Sequence, residues 1–407
     1  MQNELRQQFS ISHAFPVHFT RGAFAPANLL LRDTLLRAGN KRHRVLVALD
    51  SNVDSATPAL RAQLLAYAAA HADVLEWAGE PFLVRGGEIC KSDPREVTAL
   101  HGLVASRQID RQSFILCIGG GAVLDAVGYA AATAHRGVRL IRMPTTVLGQ
   151  DDAGVGVKNG INAFGRKNFL GTFAPPFAVI NDFDFLRTLP GRDLRAGMAE
   201  AVKVAAIQDA EFLSWLHRER KSLGALSPAH VEQLIERCAR LHVEHVGRAD
   251  PFERGSARPL DFGHWAAHCL EEMTASGPAN EDSTSGELQL RHGEAVAIGC
   301  ALDSIYAFEQ RLLSEVELEK LLRTLEEIGF ALYHPALARI DIAEALEKFR
   351  EHLGGETCIT VPDGLGNKRE LNQIDVPLMR QCIGVLEARA RRGKLRRDPG
   401  SPSSATG

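Results

Sequence analysis

Hydrophobic residues change their period along this chain. In the first half they gather in short runs rich in β-branched residues. Residues 44–49 (RVLVAL) are apolar up to Asp50, residues 82–84 form a brief run before Gly-Gly-Glu, and residues 114–118 (FILCI) lead into three glycines. Residues 138–143 (VRLIRM) stop at Pro144, and residues 177–181 (FAVIN) close the series. Runs of this length predict strands, and the stretches 56–70 and 94–107 between them carry helical spacing. Strands alternating with helices predict a mostly parallel sheet covered by helices on both faces. Beyond Pro190 helical spacing dominates, over 195–208, 210–219, 228–246, 264–274, 294–310, 314–328 and 342–352, with one strand-like run at 358–361. The change predicts an α/β domain over 1–188 and an all-helical domain over 189–392. From Arg389 the sequence RARRGKLRRDPGSPSSATG is basic, then rich in Gly, Pro and Ser, which predicts a disordered tail over 393–407.

Composition agrees with two domains, since 407 residues exceed the usual size of one core. Charged residues make up 24% and the net charge is -3. That balance argues against a nucleic acid or an anionic membrane as partner. Seven cysteines are scattered without a CxxC pair, which reads as reduced, buried thiols. The opening MQNELRQQFSISHAF carries no apolar signal core, and no apolar run is long enough to span a bilayer. A cytoplasmic location is the expectation.

Candidate chemistry begins where the predicted strand 114–118 meets Gly119-Gly120-Gly121 and a predicted helix carrying Asp125. Glycines there let a pyrophosphate approach the backbone, and the helix start offers free N–H groups. A glycine turn of this kind also serves plain strand–helix packing. Asp50, followed by Asn52, ends an earlier strand, where a carboxylate holds a ribose hydroxyl or caps a turn. Thr145 and Thr146 end another strand at the same edge. Next comes a cluster of acids, glycines and lysines, QDDAGVGVKNGIN then GRKN, which holds Lys158 and Lys167. Singly these lysines read as solvated surface, but together they suit a phosphate.

The second half adds metal-ligand types. Glu200 and Lys203 fall one turn apart on one helix face, as do His264 and His268. His292 opens a further helical segment. Two histidines and a carboxylate form a common catalytic zinc set. A single histidine on a helix is more often a core or surface residue.

The strings GGGAVLDAVGYAAA, HRGVRLIRMPTTVLGQDDAGVGVKNGIN, GRKNFLGTF, LPGRDLRAGMAEAVK, RPLDFGHWAAH and HGEAVAIG, in this order, resemble the sugar phosphate cyclase superfamily, best known from 3-dehydroquinate synthase. The resemblance implies a Rossmann-like NAD-binding domain, a helical domain, a zinc or cobalt ion and commonly a homodimer. It implies Glu200, His264 and His292 as metal ligands, and Asp152, Lys203, Asp261 and His268 in catalysis. Lys158, Lys167, Asn168 and Arg258 would bind a small-molecule sugar phosphate, with Arg136 reaching the neighbouring subunit's site. NAD would meet Asp50, Asn52, Glu88, Lys91, Gly120, Gly121, Asp125, Thr145, Thr146 and Leu148. The implied reaction oxidises a hydroxyl onto NAD, eliminates phosphate, restores the hydroxyl and closes a carbocycle by an aldol step. Its net class is a carbon–oxygen lyase.

Departures from the 3-dehydroquinate synthase pattern concern the substrate. Asp261 stands where that branch has Asn, and Trp265 where the family usually has Thr. The lysine that helps bind the substrate carboxylate falls at His242 or Val243. An Asp in LDFGH resembles the branch that cyclises sedoheptulose 7-phosphate, such as 2-epi-5-epi-valiolone synthase. The expectation is therefore a seven-carbon ketose phosphate without a carboxylate. The alternatives are 3-dehydroquinate synthase proper, acting on 3-deoxy-arabino-heptulosonate 7-phosphate, a metal-dependent polyol or glycerol dehydrogenase, and a non-catalytic scaffold.

Overall fold

The structure, a computed structural model, describes residues 4–248, 252, 260–275, 289–353 and 355–397. The chain divides into two compact units, Met1–Thr145 with Ala153–Thr188, and Thr146–Asp152 with Leu189–Gly407. The short segment 146–152 groups with the second unit rather than with the sequence around it.

The first unit is built on a seven-stranded sheet. Its strands are β1 (Val17–Thr20), β2 (His43–Asp50), β3 (Leu75–Trp77), β4 (Phe82–Val84), β5 (Phe114–Gly119), β6 (Arg139–Pro144) and β9 (Ala178–Asp182), ordered β1-β9-β6-β5-β2-β3 with β4 also on β2. Every described pairing in it is parallel. Side chains alternate between two cores, as the strand period requires. Val45, Val47, Leu49, Phe114, Leu116 and Ile118 enter one core, and Leu46, Ala48, Ile115 and Cys117 the other. Burial on both faces explains why β2 and β5 read as continuous apolar runs. Helices α1 (Leu30–Leu36), α2 (Ser51–Ala56), α3 (Leu60–Ala70), α4 (Ile89–Ser92), α5 (Pro94–Ser106) and α6 (Gly121–Thr133) connect the strands. The predicted helix 56–70 starts only at Leu60, since α2 ends at Ala56 and Pro58 lacks the N–H that would continue it.

A second departure from expectation is the polar segment after Gln150. It forms an antiparallel hairpin, β7 (Lys158–Ala163) with β8 (Arg166–Phe173). Arg142 ties this arm to the sheet. The fully buried guanidinium donates to the carbonyls of Gly154 (3.1 Å), Gly156 (2.7 Å) and Lys158 (3.0 Å), and to Asn159 Oδ1 (2.7 Å).

The second unit is helical, with α7 (Gly191–Gln208), α8 (Ala210–Gly224), α9 (Pro228–Arg248), α10 (His264–Ala275), α11 (His292–Glu309), α12 (Glu315–Ile328), α13 (Ile342–Leu353) and α14 (Val376–Arg397). One hairpin pairs β10 (Ile359–Pro362) with β11 (Lys368–Leu371). Helix α14 continues to Arg397, through the basic stretch expected to begin the tail. Residues 398–407 lie outside the described part. All seven cysteines are free, and all but Cys269 are buried. No helix among the described residues is long and apolar enough to cross a membrane.

Candidate active site

In the first unit the residues expected to meet a dinucleotide collect at the carboxyl ends of neighbouring strands. Asp50 closes β2, Glu88 and Lys91 follow β4, Gly120, Gly121 and Asp125 follow β5, and Thr145 follows β6. Open parallel sheets bind ligands at this edge. The Asn52 N–H donates to Asp50 Oδ1 (2.8 Å), so this carboxylate does cap α2. Burial raises the Asp50 pKa, and backbone N–H groups of Asn52 and Gly120 oppose the rise. Lys91 pairs with Asp125 at 2.6 Å and is itself only 5% exposed. A Cβ built on Gly121 would have only the Ala153 Cβ near it, at 3.4 Å, so the protein leaves room there. Lys158, Lys167 and Asn168 sit exposed on the β7–β8 arm, and Arg136 is exposed in the turn before β6. Thr146 and Leu148 belong to the second unit, where Thr146 Oγ1 accepts from the Gly149 N–H (3.0 Å). Arg258 lies outside the described residues.

The second unit gathers the metal-ligand types. Among the described residues, Glu200, His264 and His292 form a group that could hold a metal ion, one ligand atom from each lying within 4.8 Å of the others. They come from α7 and from the first residues of α10 and α11. Two close backbone approaches bring these helices together. Gly263 has φ +77 and its Cβ would lie 2.5 Å from Cys300 N, while a Cβ on Gly293 would lie 1.7 Å from the Ala196 carbonyl oxygen. Any side chain at either place would push a ligand helix away.

The donor set fits a divalent cation. Both Glu200 oxygens are buried without a directed hydrogen bond. The Nε2 atoms of His292 (3.4 Å) and His264 (3.8 Å) face Glu200 Oε1. Each ring is fixed from behind: His264 Nδ1 is 3.2 Å from the Phe262 carbonyl, and His292 Nδ1 is 3.3 Å from Glu271 Oε2. Acceptors behind both Nδ1 atoms assign the hydrogen there and turn the Nε2 lone pairs inward, as a metal site requires. Burial works against the Glu200 charge, yet Lys203 and His292 hold this carboxyl far below its ordinary range. Burial, then Lys203, His268 and His292, keep His264 well below the usual histidine value. Burial also acts to lower His292, but Glu200 and Glu271 outweigh it and push it up to about 10. A cation would replace that proton.

Around this group lie the other predicted residues. Lys203 Nζ pairs with Glu200 Oε2 and is 3% exposed at its side chain. Burial opposes the Lys203 charge, but Glu200, Asp152 and Asp261 raise its pKa. His268 stands one turn along α10, its ring centroid 5.5 Å from that of His264. Four residues outside the predicted set also belong here. Glu271 backs His292, and its spacing from His264 and His268 on one helix face was a usable signal. Asp303 takes the Trp265 indole N–H on Oδ1 (2.8 Å) and the Gly263 N–H on Oδ2 (3.0 Å), which gives the unexpected tryptophan a structural reason. Asp151 is fully buried with no hydrogen-bond partner on either oxygen, and burial first, then Asp152 and Glu200, raise its pKa well above the carboxylate range. His242 is buried and faces Asp152, whereas Val243 is exposed. Position 242 therefore carries the group near the site.

Residues 81–196 match the 3-dehydroquinate synthase N-terminal family and residues 197–352 the 3-dehydroquinate synthase C-terminal family. The chain is 34% identical over 303 residues to the 3-dehydroquinate synthase of Xylella fastidiosa (strain 9a5c), covering 74% of this chain and 75% of that one. It is 42% identical over 206 residues to the 3-dehydroquinate synthase of Xanthomonas oryzae pv. oryzae (strain PXO99A), covering 51% and 53%. Among solved structures it is similar to ValA, a 2-epi-5-epi-valiolone synthase from Streptomyces hygroscopicus subsp. jinggangensis 5008 with NAD+ and Zn2+ bound. That similarity has a TM-score of 0.81 and 29% identity, over 95% of this chain and 100% of that one. Two adjoining family matches, and a relative aligned through most of both lengths, place the chain in the 3-dehydroquinate synthase family of sugar phosphate cyclases.

Proposed function

We propose that this protein is an NAD- and divalent-metal-dependent cyclase that converts sedoheptulose 7-phosphate, or a similar seven-carbon ketose phosphate, to a carbocycle with release of phosphate. It would act in the cytoplasm as a homodimer, with Arg136 reaching the neighbouring subunit's site. Glu200, His264 and His292 would hold the cation, zinc or cobalt. The strand-edge residues from Asp50 to Asp125, with Thr145, Thr146 and Leu148, would hold NAD. Bound together, these groups supply a hydride acceptor and a Lewis acid for a substrate hydroxyl. Lys203, held charged by Glu200, Asp152 and Asp261, would stabilise developing negative charge. Lys158 and Arg258 would bind or orient the sugar phosphate, and Lys167 and Asn168 would help hold its phosphate, with His268 near it.

The observation that carries the substrate choice is Asp261 beside Lys203. Asn donates as well as accepts a hydrogen bond, but a carboxylate only accepts. Among the described residues, Lys203 pairs with Glu200 and His242 faces Asp152. A substrate carboxylate would add a second negative charge beside Asp261, whereas a hydroxymethyl group would donate to it. The 34% identity to a 3-dehydroquinate synthase favours a second reading, the carboxylated substrate 3-deoxy-arabino-heptulosonate 7-phosphate. Parallel kinetics on the two substrates, following phosphate release and NADH, separate them. We expect faster turnover of sedoheptulose 7-phosphate, no accumulation of NADH, and a smaller preference in Asp261→Asn. Preference of the wild type for the carboxylated substrate would establish the second reading.

A further inference from the structure

We infer that His242 is a positioning residue that holds Asp152 as a carboxylate aimed at the substrate. This inference rests on the cyclase reading for the role of Asp152, but the pairing itself stands on geometry. Helix α9 carries His242, whose side chain is 5% exposed. Its Nδ1 lies 3.1 Å from the carbonyl oxygen of Cys238, one turn earlier, and 3.6 Å from the Cys238 sulfur. The shorter contact is to a group that only accepts, so Nδ1 carries the hydrogen. Across the ring, the buried Nε2 lies 3.1 Å from Asp152 Oδ1, within ion-pair distance but not aligned as a directed hydrogen bond. Two lone pairs at that distance would repel, so the pairing needs a proton between Nε2 and Oδ1.

Asp151 supplies an internal comparison. The two aspartates are adjacent, yet only Asp152 has a side-chain nitrogen within ion-pair distance, and both oxygens of Asp151 are without a hydrogen-bond partner. Lys203 pairs directly with Glu200 and reaches Asp152 only through space, so His242 is the group in contact with Asp152. The Asp152 side chain keeps 32% exposure. Contact of Oδ1 with His242 would leave the exposed part of the carboxylate to meet substrate. Replacing His242 should release Asp152 toward Lys203, where it would compete with Glu200.

The test is a double-mutant cycle with His242→Leu and Asp152→Asn on the metal- and NAD-loaded enzyme, using sedoheptulose 7-phosphate. We expect His242→Leu to lower kcat about 100-fold with KM changed less than about 3-fold, the mark of a misplaced group rather than lost binding. Adding Asp152→Asn should then cost less than about 3-fold more, because the two residues act as one unit. His242→Lys, which restores a cation, should recover kcat to within about 10-fold of wild type. Additive losses, or no recovery by lysine, would overturn the inference. If His242→Leu does not fold, His242→Phe replaces it in the cycle. Crystal structures of wild type and of the Leu or Phe variant, which offers no donor, give a readout without turnover: the Asp152 carboxylate should turn toward Lys203, and an unmoved carboxylate counts against the pairing. Inactivity of the wild type on both sugar phosphates would defeat the cyclase reading alone, since the crystallographic comparison still decides the pairing.

Discussion

Glu271 shows how much a metal site depends on residues that would never touch the metal. Its Oε2 lies 3.3 Å from His292 Nδ1 and fixes which nitrogen faces Glu200. Removing such a partner typically costs 10–100-fold in metal affinity, so Glu271→Gln should weaken zinc binding by about that factor while far-UV circular dichroism stays unchanged. Unaltered affinity in a competition titration with a chromophoric chelator would show that Glu271 does not set the metal-binding geometry of His292. At this scale the sequence was informative wherever residue type and helix spacing coincided. Glu200, His264 and His292 were each visible as candidates, and the three do converge. Asp303 was not visible, because a lone acid in an apolar helix has no signal until the Gly263 and Trp265 donors are seen beside it.

At the scale of elements, the loop before α10 hangs on that aspartate. One N–H arrives at each Asp303 oxygen, and burial pushes its pKa up to about 7 despite both donors. Asp303→Asn keeps the shape but turns one acceptor into an NH2 that faces a donor. An unsatisfied buried donor of this kind costs about 1–3 kcal/mol, so the variant should melt earlier. Because Gly263 and Trp265 flank His264, metal affinity should fall with stability; normal melting and normal metal uptake together would show that the loop is held by other contacts. Buried strands were legible as elements because both of their faces are apolar. The β7–β8 arm was not, since β8 is exposed along nearly its whole length and its polar sequence imitates a loop. Helix α14 was missed for a related reason, its basic end having the composition of a tail while its backbone stays helical to Arg397.

On the scale of the whole molecule, the two units divide the chemistry. The residues matched to the dinucleotide lie mainly in the first unit, whereas all three metal-ligand candidates lie in the second, on helices far apart in sequence. A cation held by α7, α10 and α11 would therefore join segments that the chain itself connects only through long excursions. Ligand binding to the folded state alone stabilises it by mass action, by about 2.7 kcal/mol at one hundred times the dissociation constant. The gain should be local as well as global. Chelation of the metal should raise amide hydrogen exchange over residues 191–208, 264–275 and 292–309, and leave the buried strands β2 and β5 protected as before. Adding zinc back should restore the protection of all three helices together, because one ion holds them. Deprotection confined to β2 and β5, or uniform across both units, would mean that the metal acts elsewhere than at Glu200, His264 and His292. Deprotection of only one of the three helices would remove the other two from the site.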